Sequence, residues 1–503
     1  MGRPAMPAPR ALLMCVAITC GCCRGAPTAS PPAVDAARQT PLTEANAAPE
    51  PAAPTAEPAP RPTRTPQSEE RIEAARQHAQ GRVLTSNTAR LPSPGAPGDD
   101  ALPGAAVALE QPPDGNALLN FYAALERLQA SSNAAADAPP DDSEPRAPKL
   151  RIAVYGASGT AADMWTGYLR AYLQARFGDG GPGVVSPARP TRWFRHNELS
   201  VRSRGRWQAA YPQRKALSGD NRYGLMLQVM RGWGGPRVAH SRIAPGPDRD
   251  DSLQIARFEL WSFTRPGGGT LMLHIDDERP QPIDTTADLP GMDYRAWDME
   301  PGPHEISLWV RGPDEVRLAA LIAESAEPGV VVDTLGFDGA RLVSHSINDE
   351  ASWSEQLQRR DYALYILAYG TNEGFHEREK SIDVPGFEAE LQNLLSRLGR
   401  AAPGASCVMC LPSLHRQVRK GQRSPAPRIE AIRPVMRRLG HAHGCALFDG
   451  QQLIGDGGIG AWVKAGLARR DYVHLTPRGN VRYGMALTEA LMRHWDRPAG
   501  EAE

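Results

Sequence analysis

The chain has 503 residues, with 57 basic and 57 acidic side chains and a formal net charge of zero. That balance excludes the positive footprint by which proteins hold nucleic acid or anionic membranes. Length alone allows two or three domains, but many of the 47 prolines fall in the first quarter, which shrinks the part able to build a core.

Residues 1–25 read as an export segment: Arg3 and Arg10 give a positive start, and residues 11–18 an apolar run too short to span a bilayer. Cys20, Cys22 and Cys23 follow at once, and Gly21-Cys22 best fits lipoprotein processing, although the usual leucine three residues earlier is absent. Which of the three is lipidated stays open; a diacylated cysteine would tether the protein to a membrane surface. Residues 26–115 are mostly Ala, Pro, Thr and charged residues, a composition that cannot offset backbone ordering entropy, so a disordered tether is expected. Residues 68–82 could form a transient helix there, but show no apolar stripe. Within 116–148, Leu118, Leu119, Phe121, Tyr122, Leu125 and Leu128 recur at helical spacing ahead of a polar linker.

The first firm strand is 150–155, followed by a glycine turn and a helix whose face is Trp165, Leu169, Tyr172, Leu173 and Phe177. Strand, sharp turn and helix make the first βα unit of an α/β domain, here residues 149–186. Residues 187–328 behave differently. Runs at 257–263, 270–275 and 305–310 alternate apolar and polar with period two between Gly, Pro and Asp clusters, which predicts an inserted β-sandwich. From 329 to 497 the α/β alternation resumes, with short buried strands at 330–334, 362–368, 407–411 and 446–448 and helices between and after them, so the expected fold is a flavodoxin-like parallel sheet with helices on both faces. Cys407 and Cys410 fall on one such strand, where an odd separation sends the two thiols to opposite faces. Outside the export segment no second Cys-x-x-Cys completes a metal site.

Four short motifs sit at the ends of these strands. Gly156-Ala157-Ser158-Gly159 places a serine on the first strand-to-helix turn. Gly339 follows the second α/β strand, Gly370-Thr371-Asn372-Glu373 follows the third, and Asp471 precedes His474 by three residues ahead of the last helix. A serine nucleophile needs a base to take its proton, the base needs a carboxylate to orient it, and a tetrahedral oxyanion needs donors fixed in advance. Gly-Ala-Ser-Gly alone is a common turn and Asp-x-x-His alone a common surface pair; four motifs in this order, each at a strand end, argue for one site. His345, His376 and His415 lie near the same sheet edge, but no acid precedes them at matching spacing.

In this order and spacing, Gly-x-Ser, Gly339, Gly-x-Asn and Asp-x-x-His resemble the SGNH/GDSL hydrolase family over about residues 149–177 and 329–495. The resemblance implies Ser158 as nucleophile, His474 as base, Asp471 as its orienter, and the Ser158 and Gly339 N–H groups with the Asn372 amide as oxyanion hole. The interrupting β domain is also similar to the arrangement in bacterial exported peptidoglycan O-acetylesterases of that superfamily. Two positions depart from the family: Ala157 replaces the usual Asp, and Glu373 stands where Asp is common. The function so implied is a serine esterase that removes short acyl groups from a cell-envelope carbohydrate, in the periplasm or outer envelope, with no metal or cofactor and an acylated carbohydrate as partner. Two alternatives stay open: an O-acyltransferase using the same site, and a weak or inactive glycan-binding relative. No nucleic acid or oligomeric state is implied, and membrane contact would come only through the lipid anchor.

Overall fold

A computed structural model describes residues 67–85, 107–115, 117–137, 147–213, 219–247, 249, 252–375, 383–419 and 422–496. The export segment with Cys20, Cys22 and Cys23, and also His376, lie outside these residues. Five parallel strands form the central sheet: β1 (Lys149–Gly156), β2 (Gly329–Gly336), β3 (Tyr362–Ala368), β4 (Ser406–Leu411) and β5 (Ala446–Asp449). Their order is β2-β1-β3-β4-β5, so the chain reverses its winding at β1, with β2 on one side and β3 on the other. In an open sheet of this kind, sites form outside the carboxyl ends of the strands at that point.

Each strand is buried on both faces, and alternation assigns its residues to two cores. Ile152, Val154, Val332, Leu364, Ile366 and Val408 face one cluster, closed by the helices Trp165–Phe177, Leu119–Asp137 and Pro477–Asp496 through Leu169, Phe121 and Leu491. Ala153, Tyr155, Leu335, Tyr365, Leu367 and Met409 face the other, closed by the helices Glu350–Arg360, Val384–Ala401 and Pro427–Ala442 through Trp353, Leu394 and Met436. The α/β alternation read from the sequence is therefore the architecture of this half.

Between β1 and β2 lie two antiparallel sheets. One runs in the order Gly291–Gly302, Ile255–Thr264, Val316–Glu324, Val229–Gly232, Trp207–Ala210; the other runs Leu199–Arg204, His240–Pro245, Ile306–Arg311, Thr270–Ile275, Gln281–Asp284. Leu271, Leu273, Leu308, Phe258, Leu260 and Leu318 fill the space between them, as the period-two pattern predicted. The strand Gly183–Val185, which lies before the insertion's expected start, already pairs with Val316–Glu324. The first sheet is apolar on its outer face as well: Trp261, Phe263, Ala320 and Ile322 join the cluster that contains Tyr155 and Trp353. Sandwich and parallel sheet thus share a core.

Two findings modify the sequence reading. Within the segment expected to be a disordered tether, Glu69–Thr85 is a helix. Its buried residues Ile72, Ala75, Ala79 and Val83 recur at three- and four-residue steps, and the helix packs against Trp165–Phe177 and Pro477–Asp496. Two of the four are alanines, which give little hydrophobic signal but let helices approach closely. Residues 107–115 are also placed, with Glu110 exchanging backbone hydrogen bonds with Leu447 on β5. The second finding is a disulfide between Cys407 and Cys445, which joins β4 to the start of β5. Cys407 and Cys410 do point to opposite faces, and Cys410 is a buried free thiol; the pairing of Cys407 was not anticipated.

Candidate active site

β1 ends in Gly156, whose neighbours across the sheet are Gly336 on β2 and Ala368 on β3. The chain then turns into a helix of four residues, Ser158–Ala161, with Ala157 as the residue before it. The turn is tight enough that a Cβ on residue 156 would stand 2.2 Å from Thr160 Oγ1 and 3.1 Å from the Ala368 carbonyl. Glycine is what allows Ser158 to follow the strand at once. Among the described residues no protein group accepts from the Ser158 N–H, as suits the first turn of a helix.

The Asp471 loop is closed by its own backbone. Ala468 bridges to Leu475, Arg469 N–H donates to the His474 carbonyl at 2.7 Å, and Tyr472 takes a left-handed conformation at φ 63°. This brings His474 over the β1 end. Ser158 Oγ lies 3.0 Å from His474 Nε2, and His474 Nδ1 lies 2.9 Å from Asp471 Oδ2. The other carboxylate oxygen, Oδ1, accepts from the Val473 and His474 N–H groups, each at 2.9 Å. Burial alone would push the Asp471 carboxyl up, but the hydrogen bonds from His474 and the two N–H groups prevail and hold it at about 2. Asp471 is therefore ionised at any ordinary pH, and its acceptance at Nδ1 fixes the imidazole with Nε2 free to receive a proton from Ser158. The side chains of His474 and Asp471 are 44% and 46% exposed, so the relay opens to solvent.

Gly339 lies in the turn after β2 at φ 80°, in the left-handed region that glycine adopts without strain. Its N–H, like that of Ser158, has no protein acceptor among the described residues. Asn372 sits on the short helix Thr371–Phe375 after β3, and its Nδ2 donates to the Ala340 carbonyl at 2.9 Å, which holds the amide and leaves its second N–H for another acceptor. Ser158, Gly339 and Asn372 thus stand at the carboxyl ends of three adjacent strands. Glu373 ties two of these ends together: its buried carboxylate accepts from Leu342 N–H at 2.8 Å and Gly370 N–H at 3.0 Å. Burial raises its carboxyl above the usual range, with those backbone donors opposing.

His345 and His415 are both buried. His345 bonds the Tyr369 hydroxyl at 2.9 Å inside the aromatic cluster under the sheet edge, and burial lowers it to about 3. Burial lowers His415 to about 4, with the nearby His474 adding to the effect and Asp471 opposing it. Below the elbow, Asp163 and Arg170 form a fully buried pair at 2.9 Å, with further bonds to Asp163 from Thr166, Thr334 and the Asn197 N–H. Sequence reading passed over this pair, because neither residue stands in a motif. Among the described residues no three His, Cys, Asp or Glu side chains are grouped to hold a metal ion.

Residues 300–482 match the family model described as GDSL-like Lipase/Acylhydrolase family, a span that begins within the last strands of the insertion, takes in Gly339, Asn372, Asp471 and His474, and leaves out Ser158. Over that span the chain resembles the SGNH/GDSL hydrolases. Among solved structures, a peptidoglycan O-acetylesterase "in action" is similar at 21% identity and a TM-score of 0.58, covering 74% of this chain and 95% of that one. An acetyl xylan esterase, AlAXEase, aligns at 18% identity and a TM-score of 0.26 over 32% of this chain and 80% of its own. A family two carbohydrate esterase from Clostridium thermocellum, in complex with cellohexaose, aligns at 12% identity and a TM-score of 0.24 over 59% of this chain and 99% of its own. No curated protein matches the sequence.

Proposed function

We propose that the chain is a serine esterase that removes O-acetyl groups from a carbohydrate of the cell envelope, with Ser158 as nucleophile. The observation that carries this reading is the continuous hydrogen-bonded line from Ser158 Oγ through His474 to Asp471 at the sheet's switch point. His474 Nε2 takes the Ser158 proton as Oγ attacks the ester carbonyl. The developing oxyanion is met by the N–H groups of Ser158 and Gly339 and the Asn372 amide. His474 then returns the proton to the departing sugar hydroxyl, and a water, deprotonated by the same imidazole, releases acetate from Ser158.

The substrate class rests on further support. The similar peptidoglycan O-acetylesterase aligns over the sandwich as well as the parallel sheet, since the match covers 74% of the chain. The Cys407–Cys445 disulfide suits an oxidising compartment, where exported proteins fold, and no described helix is long and apolar enough to cross a membrane. Trp193 is 48% exposed, carries the Arg192 guanidinium over its ring at 4.5 Å, and belongs to the loop whose Thr191 bonds Asp338, next to Gly339. An exposed indole beside the site offers a face to a sugar ring.

The test is acetate release from O-acetylated peptidoglycan and hydrolysis of 4-nitrophenyl acetate by the full chain and by Ser158→Ala. The variant should lose activity on both while melting at the wild-type temperature. A loss of only a few-fold would remove Ser158 from the nucleophile role, and activity on the aryl ester alone would remove the envelope glycan as substrate.

A further inference from the structure

We infer that the inserted β sandwich acts in the reaction by fixing the loop that carries Gly339, with Thr191 and Gln213 as the positioning residues. The inference rests on the proposed Ser158 chemistry. Residues 337–342 leave β2 as an irregular turn ahead of the short helix Val343–Ile347, and three side chains from the insertion hold this segment. Thr191 Oγ1 donates to Asp338 Oδ2 at 2.8 Å, and is itself fixed by accepting from the Trp193 and Phe194 N–H groups, each at 3.2 Å. Tyr211 stacks on Phe337 with ring centroids 5.0 Å apart. Gln213, with its amide nitrogen toward Gly339, donates to the Gly339 carbonyl at 2.9 Å, while its oxygen accepts from Arg341 N–H at 2.7 Å and from Ser344 Oγ at 2.6 Å. This is the orientation in which the amide meets an acceptor with its nitrogen and donors with its oxygen; the Arg341 N–H can only donate.

These contacts bracket one peptide group. The Gly339 N–H belongs to the plane between Asp338 and Gly339, so its direction follows from the torsions on either side. Thr191 anchors the residue before that plane and Gln213 the carbonyl after it. Gly339 at φ 80° has no side chain of its own to wedge in place. An oxyanion donor contributes to rate only as far as its direction is set before charge develops, because a donor that must reorient loses the advantage over water. From within the α/β half, Glu373 secures the far end of the loop through Leu342 N–H at 2.8 Å. The near end is secured by the insertion, which gives the sandwich a part in catalysis separate from any hold on the glycan.

The test uses the purified full chain and 4-nitrophenyl acetate, a substrate too small to need the sandwich for binding. Thr191→Val and Gln213→Ala should each lower kcat about ten-fold, the scale of a donor displaced by less than 1 Å. KM and the melting temperature should hardly change, and Thr191→Ser, which keeps the hydroxyl, should restore kcat. Affinity for phenylboronic acid, which bonds the serine and sets an oxygen in the oxyanion position, should fall in parallel with kcat. Wild-type kcat in both variants, a kcat loss matched by a fall in melting temperature, or failure of Thr191→Ser to rescue would each overturn the inference. Ser158→Ala is assayed alongside to separate the two levels. If it stays active, the Ser158 reading fails; if it is dead while Thr191→Val and Gln213→Ala are normal, only the role of the sandwich fails.

Discussion

Ala157 packs against the apolar cluster that holds Tyr155, Phe337 and Tyr369. An aspartate is usual there in the family, and the sequence alone left open whether its loss loosens the nucleophile turn. Ala157 is half-buried at the edge of this cluster, so a restored carboxylate would stand partly against apolar surface. Ala157→Asp should therefore lower the stability of the protein by about 1 kcal/mol, the low end of the cost of a polar group buried without a partner, and lower kcat with it; thermal melting and turnover on the same sample check this. A rise in kcat at unchanged melting temperature would instead mean that the turn lacks a carboxylate. Asn372 gives a separate expectation. Its amide is held by the Ala340 carbonyl at 2.9 Å, so Asn372→Ala should lower kcat by roughly 10² to 10³, the cost of one oxyanion donor, with KM little altered.

At the scale of elements, the buried Asp163–Arg170 pair joins the elbow to the helix Trp165–Phe177, to β2 through Thr334, and to the insertion through Asn197. Burial raises the Asp163 carboxyl, but Arg170 and the hydrogen bonds outweigh it and bring it down to about 2. A carboxyl depressed in the folded state contributes stability that is complete above its unfolded value, near 4, and is lost as pH falls toward 2. The melting temperature should drop between about pH 4 and pH 2 for this reason. Asp163→Asn should cost about 3–5 kcal/mol at neutral pH by leaving Arg170 buried and unpaired, and should flatten that acid dependence; denaturant unfolding at pH 7 and pH 3 measures both. An unchanged acid dependence in the variant would assign it to other carboxylates.

Elements with a strong period were legible in the sequence. The strand 362–368 was placed to the residue, because an apolar strand leaves a local signature. Ser158, Gly339 and Asn372 could be picked out since each follows a strand, and Asp471 and His474 by their three-residue spacing ahead of the last helix, all in a fixed order. The helix Glu69–Thr85 was not legible: an alanine-based stripe carries almost no hydrophobic contrast, and what holds it is tertiary contact with helices some hundred and four hundred residues away. Thr191 and Gln213 lie in irregular loops, and only the folded chain shows that they touch the Gly339 turn.

For the molecule as a whole, the disulfide spans a separation of 38 residues and links the last two strands of the parallel sheet. It was illegible for a related reason: Cys407 and Cys445 become neighbours only once β4 and β5 are known to be adjacent. Closing a loop of that length restricts the unfolded chain by about 4 kcal/mol on the chain-entropy account. Unfolding in denaturant with and without a reductant should differ by a quantity of that order, and Cys445→Ser should match the reduced protein. Equal stability under both conditions would mean that the link adds nothing to the fold.

The sandwich also turns Trp261, Phe263, Ala320 and Ile322 into the core beneath β1 and β2. A laboratory that wished to alter substrate choice by grafting a foreign sandwich into this enzyme would have to re-cut an apolar seam as well as splice two loops. Excising residues 187–328 with a short linker would strip the covering from Tyr155 and Trp353 and yield an aggregating chain, not a smaller esterase. The same seam ties the two halves together: the sandwich's exposed loops can be changed without touching it, whereas any change on the sheet that rests against the parallel half must be matched across the seam.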